Sequence, residues 1–179
     1  MSLAQGPSVP ILNLAKERGL SNGAVNCINM DSEGYLWFGT WNGLNRWDGS
    51  QIVSYLPGSS PHSLHNHVVR RIIPLKKGGL WLMTNKGISK YDNQLDEFTA
   101  YFDNLPGNLN YETDLSMTLA EDSVLFVSVK GRGLYQYVSE GKNFELREDI
   151  RDTLGILKRL VSIQGSANGL VLLTTDGKV

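Results

Sequence analysis

Apolar residues along the chain come in short runs, each closed by turn residues. Val25 to Met30 ends at Asp31-Ser-Glu-Gly34, Tyr35 to Thr40 at Asn42-Gly43, Leu44 to Trp47 at Asp48-Gly49, and Gln51 to Leu56 at Pro57-Gly58. Runs this short, rich in aromatic and β-branched residues and bounded in this way, read as strands. Asn-Gly and Asp-Gly supply the positive φ angles that two-residue hairpins require. Four antiparallel strands joined by tight turns are therefore expected, and nothing in the unit has a helical period.

The same order then recurs. Leu20 and Leu64, Val25 and Val69, Ile28 and Ile72, Trp37 and Trp81, Thr40 and Thr84, and Gly43 and Gly87 are each 44 residues apart. Past Asp92 the second copy gains two residues in a turn, so Tyr55 answers to Tyr101 and Ile52 to Phe98. A third copy is legible in Leu125-Phe-Val-Ser128, Gly133-Leu-Tyr-Gln-Tyr137 and Phe144. A fourth opens at Gly169-Leu-Val-Leu-Leu-Thr-Thr-Asp-Gly177 and is cut off at Val179, which reads as a truncation.

Four strands in a unit of about 40–45 residues make one blade of a β-propeller. The expectation is an all-β chain, a β-propeller fragment of about three to four four-stranded antiparallel blades cut from a larger propeller. Residues 1–18 would be a leader and an outer strand (Val9-Pro-Ile-Leu-Asn-Leu14), 19–62 the first blade, 63–108 the second, 109–150 the third and 151–179 the start of a fourth. Trp37 with Trp81, and Trp47 with Tyr91, are matched positions and read as blade packing.

Composition narrows the function classes. A formal charge of −1 gives no electrostatic reason to expect nucleic acid or an anionic membrane. No apolar stretch approaches the roughly 18–20 residues of a membrane span. Cys27 is the single cysteine, so no intrachain disulfide forms. Met1-Ser-Leu3 reads as a leader or as a start left by removal of a signal.

The string Gly19-Leu-Ser-Asn22, Val25, Asp31-Ser-Glu-Gly-Tyr-Leu-Trp-Phe-Gly-Thr40 and Asn42-Gly-Leu-Asn-Arg-Trp-Asp48 closely resembles the two-component regulator propeller repeat. The second copy, Leu64-His-Asn66 through Tyr91-Asp92, is similar but has Met83-Thr84 for the Gly-Thr pair. The third has no tryptophan and Val138 for the aspartate. The resemblance implies seven-bladed propellers, commonly two in tandem, that form the periplasmic sensor of hybrid histidine kinases detecting oligosaccharides. It also implies downstream immunoglobulin-like, membrane, kinase, receiver and DNA-binding parts in the parent, anchored in the inner membrane. None of those is expected within these 179 residues. This chain would then be a periplasmic, non-catalytic part of ligand reception.

Propeller topology places candidate residues. Turns between second and third strands share one face with the segments that lead into each first strand, so Ser21-Asn22-Gly23, Trp41-Asn42, His62 to His67, Lys86 and Lys130-Gly-Arg132 are expected on one rim. From that group Asn22, Trp41, Asn42, His65, Asn66, Lys86 and Arg132 are the ligand-binding candidates. Trp41 answers to Asn85, so the fold asks for no aromatic there. It would stack on a sugar ring or cover the edge of a neighbouring blade, and the residues leave both open. Asn22 and Asn66 match, as capping amides or as sugar contacts.

No catalytic residue, cofactor or metal site is expected. His62, His65 and His67 share a loop without a carboxylate or thiolate of its own. Asp31-Ser-Glu-Gly34 hints at calcium, but its counterpart is taken as Lys76-Lys-Gly-Gly79, so it reads as a hairpin turn. It also resembles the Asp-box of sialidase propellers, with the aspartate one place too far from Trp37. Asp48 and Asp92 read as turn residues, not as a hydrolytic carboxylate pair. Arg70-Arg71 and Lys76-Lys77 read as solvated or ion-paired.

The expected partners are an oligosaccharide, the remainder of the parent propeller and, through blade faces left apolar, other copies of the chain. A protein-interaction scaffold and a glycan-processing enzyme are the alternatives.

Overall fold

The computed structural model describes residues 14, 19–103, 110–111, 113–120, 124–147, 160–166 and 169–174. Every regular element among them is a strand. The first sheet holds β1 (Val25–Met30), β2 (Leu36–Thr40), β3 (Gly43–Trp47) and β4 (Ile52–Tyr55). The second holds β5 (Val69–Pro74), β6 (Leu80–Thr84), β7 (Gly87–Asp92) and β8 (Glu97–Tyr101). The third holds β9 (Leu115–Ala120), β10 (Val124–Val129), β11 (Gly133–Val138) and β12 (Asn143–Leu146), and β13 (Leu160–Ser166) pairs with β14 (Gly169–Thr174). Within each sheet neighbours in sequence are antiparallel neighbours in space, the up-and-down order of a blade.

The sheets lie side against side. Asn26 and Asn29 of β1 donate from Nδ2 to the carbonyls of Val69 and Ile72 in β5, at 3.0 and 2.9 Å. Between the first two blades Trp37, Leu44, Leu64, Val69, Ile72, Leu80, Leu82, Tyr91 and Phe98 form one buried cluster. Between the second and third, Trp81, Ile88, Leu115, Met117, Leu125, Val127 and Val129 form another. A third cluster joins Phe126 and Leu134 to Ile163 of β13. Both faces of the middle blades are thus covered, which is why their strands need not alternate apolar with polar.

Of the matched aromatics, Trp37, Trp81 and Tyr91 are buried in the clusters between blades, whereas Trp47 is half-buried and outside them. Trp37 meets Tyr91 edge-on at 5.2 Å, and Trp81 meets Tyr137 in the same way at 4.7 Å. A cation from the same strand position lies over each indole, Arg46 at 5.7 Å from Trp37 and Lys90 at 5.6 Å from Trp81. Burial, assisted by the hydroxyl of Tyr55 and the carboxylate of Asp96, holds the Tyr91 phenol well above its ordinary range.

One pairing departs from the expected register. Asp31 N donates to Tyr35 O and Leu75 N to Gly79 O, so Asp31 answers to Leu75, and Ser32, Glu33 and Gly34 to Lys76, Lys77 and Gly78. The expected match of Asp31-Ser-Glu-Gly34 to Lys76-Lys-Gly-Gly79 is thus one residue late, since adjacent Gly78 and Gly79 allow either alignment in the sequence. Apart from Leu14, the leader and the expected outer strand Val9–Leu14 lie outside the described residues.

Candidate functional site

A repeated backbone bond builds the rim. Trp41 N donates to Ala24 O at 3.2 Å, Asn85 N to Val68 O at 3.2 Å and Lys130 N to Asp114 O at 2.9 Å, tying each turn after a second strand to the segment leading into the first. Thr40 and Thr84 tighten the first two turns. Each hydroxyl donates to the carbonyl three residues on, of Gly43 and Gly87, and accepts the N–H of Asn42 or Lys86. Gly43 and Gly87 take φ of 103° and 114°, a region that side chains with a β-carbon rarely adopt.

The first two blades bring their candidates together. Trp41 is half exposed, at 49%. The guanidinium of Arg70 lies 4.7 Å from its ring centroid, and Arg70 Nε donates to Asn85 Oδ1 at 2.7 Å. The neighbouring Asn42 side chain bonds through Oδ1 to His67 Nδ1 at 2.9 Å. Trp41 therefore does bridge to the next blade, through Arg70, while much of the indole stays open to solvent.

Arg70 escaped the sequence reading because its role depends on a β-bulge. The β5–β6 register slips between Val69 and Arg71, leaving Arg70 as the extra residue, just as Asn26 is in β1. A bulged residue is re-aimed out of the ladder. Asn26 reaches the next blade's backbone, whereas Arg70 lies over Trp41 and bonds to Asn85.

The other candidates are placed with different partners. Asn22 Oδ1 accepts Ala24 N at 2.7 Å and Asn66 Oδ1 accepts Val68 N at 3.0 Å, so both amide oxygens cap their own turns. Lys86 is exposed beside Asn85. Arg132 sits on the third blade's turn, next to a Lys130–Asp114 pair at 3.0 Å. The Lys130 ammonium and the Asn110 N–H hold the Asp114 carboxyl below the usual range.

The three histidines separate. His67 joins Asn42, His65 Nε2 lies 3.9 Å from Asp103 Oδ2, and His62 lies 3.5 Å from Glu97. His62 is not part of the rim as expected: its carbonyl accepts Phe98 N at 2.9 Å, which sets it beside the outer strand near the opposite turns. The lead-in segment crosses the blade face from outer to inner strand, burying Leu64 on the way. Among the described residues no three His, Cys, Asp or Glu side chains converge as a metal site would need.

Asp31 has an architectural role. Its Oδ2 accepts the indole N–H of Trp37 at 2.6 Å, and Oδ1 accepts the N–H groups of Glu33 and Tyr35. Asp48 Oδ1 likewise accepts from Ser50 and Gln51, bonds that lower its pKa. Both carboxylates close turns.

Stacked four-stranded up-and-down sheets with this rim define the chain as part of a β-propeller. The two component regulator propeller family model matches residues 19–42, the lead-in and first two strands of the first blade. No curated protein matches the chain. Two solved structures of the extracellular domain of BT4673 from B. thetaiotaomicron, called a hybrid two component system in one and a one component system in the other, are similar. They give TM-scores of 0.57 and 0.60, at 22% and 21% identity over 84% and 89% of this chain. The chain spans 19% and 22% of the length of those structures.

Proposed function

We propose that this chain is part of the ligand-receiving propeller of a hybrid two-component sensor histidine kinase, located in the periplasm, and that its ligand is an oligosaccharide met at the rim around Trp41. The parent would be the kinase, anchored in the inner membrane, and this region would perform no chemistry itself. The observation that carries the reading is the half-exposed indole of Trp41, held by Arg70 at a turn where the next blade has Asn85. The family match at 19–42 ends one residue beyond Trp41.

A tryptophan fixed in this way offers a rigid apolar plate to a sugar ring, at little conformational cost on binding. Asn42 beside it in the turn, His67 bonded to Asn42, and exposed Lys86 in the next blade's turn carry donors and acceptors suited to hydroxyl groups. Asp31 and Asp48 are committed to turns at the opposite end of the blade and supply no carboxylate pair at this rim.

Calorimetric titration with a panel of oligosaccharides, followed by chromatography of the recovered sugar, tests this. The expected result is saturable binding of at least one sugar, recovered uncut, and weaker by about tenfold in Trp41→Ala. Cleavage would indicate an enzyme; unchanged affinity in Trp41→Ala would leave the rim to protein partners.

A further inference from the structure

Asparagine stands directly before glycine at Asn22-Gly23, Asn42-Gly43 and Asn168-Gly169. In such a pair the glycine nitrogen can attack the asparagine side-chain carbonyl, because glycine carries no β-carbon to shield it and its backbone turns freely into position. Asn168 lies outside the described residues. The other two pairs are both on the rim, and the fold gives them opposite surroundings.

Asn22 is held ready for attack. Its Oδ1 accepts Ala24 N at 2.7 Å, a bond that spans Gly23 and turns the side chain back along the backbone. Both flanks are anchored: Ser21 N donates to the buried Asn45 Oδ1 at 2.9 Å, and Ala24 O accepts Trp41 N at 3.2 Å. Gly23 between them is exposed, and its N–H has no hydrogen-bond partner among the described residues. The Ala24 N–H is aimed at the oxygen on which negative charge develops as the nitrogen adds, the arrangement that stabilises a tetrahedral oxyanion. Holding attacker and carbonyl together removes much of the entropic cost of their meeting.

Asn42 is protected. Its Oδ1 is bonded to His67 Nδ1 at 2.9 Å, and Gly43 is buried with its N–H donated to the His67 carbonyl. Attack would break both bonds. Asn66 is a third case: it caps Val68 N as Asn22 caps Ala24 N, but the residue it spans is His67, with a side chain where Gly23 has none.

We propose that Asn22 is a site of spontaneous deamidation, set apart from Asn42 and Asn66 by the fold. The Gly23 nitrogen gives its proton to solvent and bonds to Asn22 Cγ, the Cγ–Nδ2 bond breaks, and Nδ2 takes a proton from solvent and leaves as ammonia. A cyclic imide results. Water then adds to either ring carbonyl and opens it to aspartate or isoaspartate, with nothing oxidised or reduced. The rim thus gains a carboxylate as the protein ages, two residues before the Ala24–Trp41 tie. This does not depend on a saccharide binding at the rim.

The test incubates the intact chain at mildly alkaline pH, folded and in urea, and follows each asparagine by mass spectrometric peptide mapping, with chromatography of the isoaspartyl peptides. In the folded chain Asn22 is expected to convert about tenfold or more faster than Asn42 and Asn66. In urea Asn42 should draw level with Asn22, while Asn66 stays slow. Gly23→Ala keeps the fold, since the added β-carbon meets nothing within 4 Å and the φ there is not positive, and it should slow Asn22 by about tenfold or more. Asn42 converting as fast as Asn22 in the folded chain, the same gap between them in urea, or an unchanged Asn22 rate in Gly23→Ala would each overturn the assignment.

Discussion

Gly39 of β2 lies so close to Val69 of the next blade that a β-carbon on the glycine would stand 2.8 Å from Val69 Cγ1, and 2.5 Å from Cys27 Sγ within its own blade. That approach brings β1 and β5 near enough for Asn26 and Asn29 to bond across. Gly39→Ala is expected to destabilise the protein by about 1–3 kcal/mol through overpacking. Urea denaturation measures it; an unchanged midpoint would mean that the blades are not in contact there.

Asp31 and Trp37 form the second joint. Replacing Asp31 by leucine, the residue at the matching place in the second blade, removes the acceptor for a buried indole N–H and for two turn N–H groups. A loss of about 1–3 kcal/mol is expected from the orphaned donors. Thermal melting compares it with Asp48→Ala, which alters only an exposed turn and should cost less.

The first two blades solve one buried polar problem differently. In the first, Asn45 bonds to Ser21 and Ser54 while Ser21 meets Thr40. At the matching places the second has His65, Ser89 and Ala100, and His65 Nε2 and Ser89 Oγ are buried without a hydrogen-bonding partner in the protein. His65→Ser/Ser89→Asn/Ala100→Ser transplants the satisfied set. It should raise stability by about 1–3 kcal/mol over wild type, and more than the single changes sum to. Chemical denaturation of the triple and single variants checks this.

Cys27 sets a pH dependence. Burial pushes its thiol from 9.0 up to about 11. Below pH 9 both folded and unfolded chains keep the proton and stability is unaffected. As pH rises from about 9 towards about 11 the unfolded chain alone releases it, so stability falls. Tyr91 and Tyr101, also raised, add to the alkaline loss. Cys27→Ala should show a shallower decline over that window than wild type, measured by denaturation at a series of pH values.

How much of this was legible in the sequence follows from what a period can carry. Trp37 and Trp81, 44 residues apart, fixed the blade and its packing, because an aromatic repeated in register implies a repeated environment. Asn-Gly and Asp-Gly located the hairpins for the reason that few residues accept their φ angles. The bulges at Asn26 and Arg70 left no such mark: inserting a residue into a strand changes pairing without changing composition. Arg70 over Trp41 was therefore hidden, as was the path that takes His62 to Glu97.

The rim reading is tested most directly by the indole N–H resonances in proton–nitrogen NMR during titration with an oligosaccharide that binds. Trp41 is half exposed, whereas Trp37 and Trp81 are 2% exposed and locked in the blade clusters. The expected result is a saturable shift of the Trp41 resonance, with those of Trp37 and Trp81 unmoved. Saturable binding that leaves Trp41 unshifted would contradict the account.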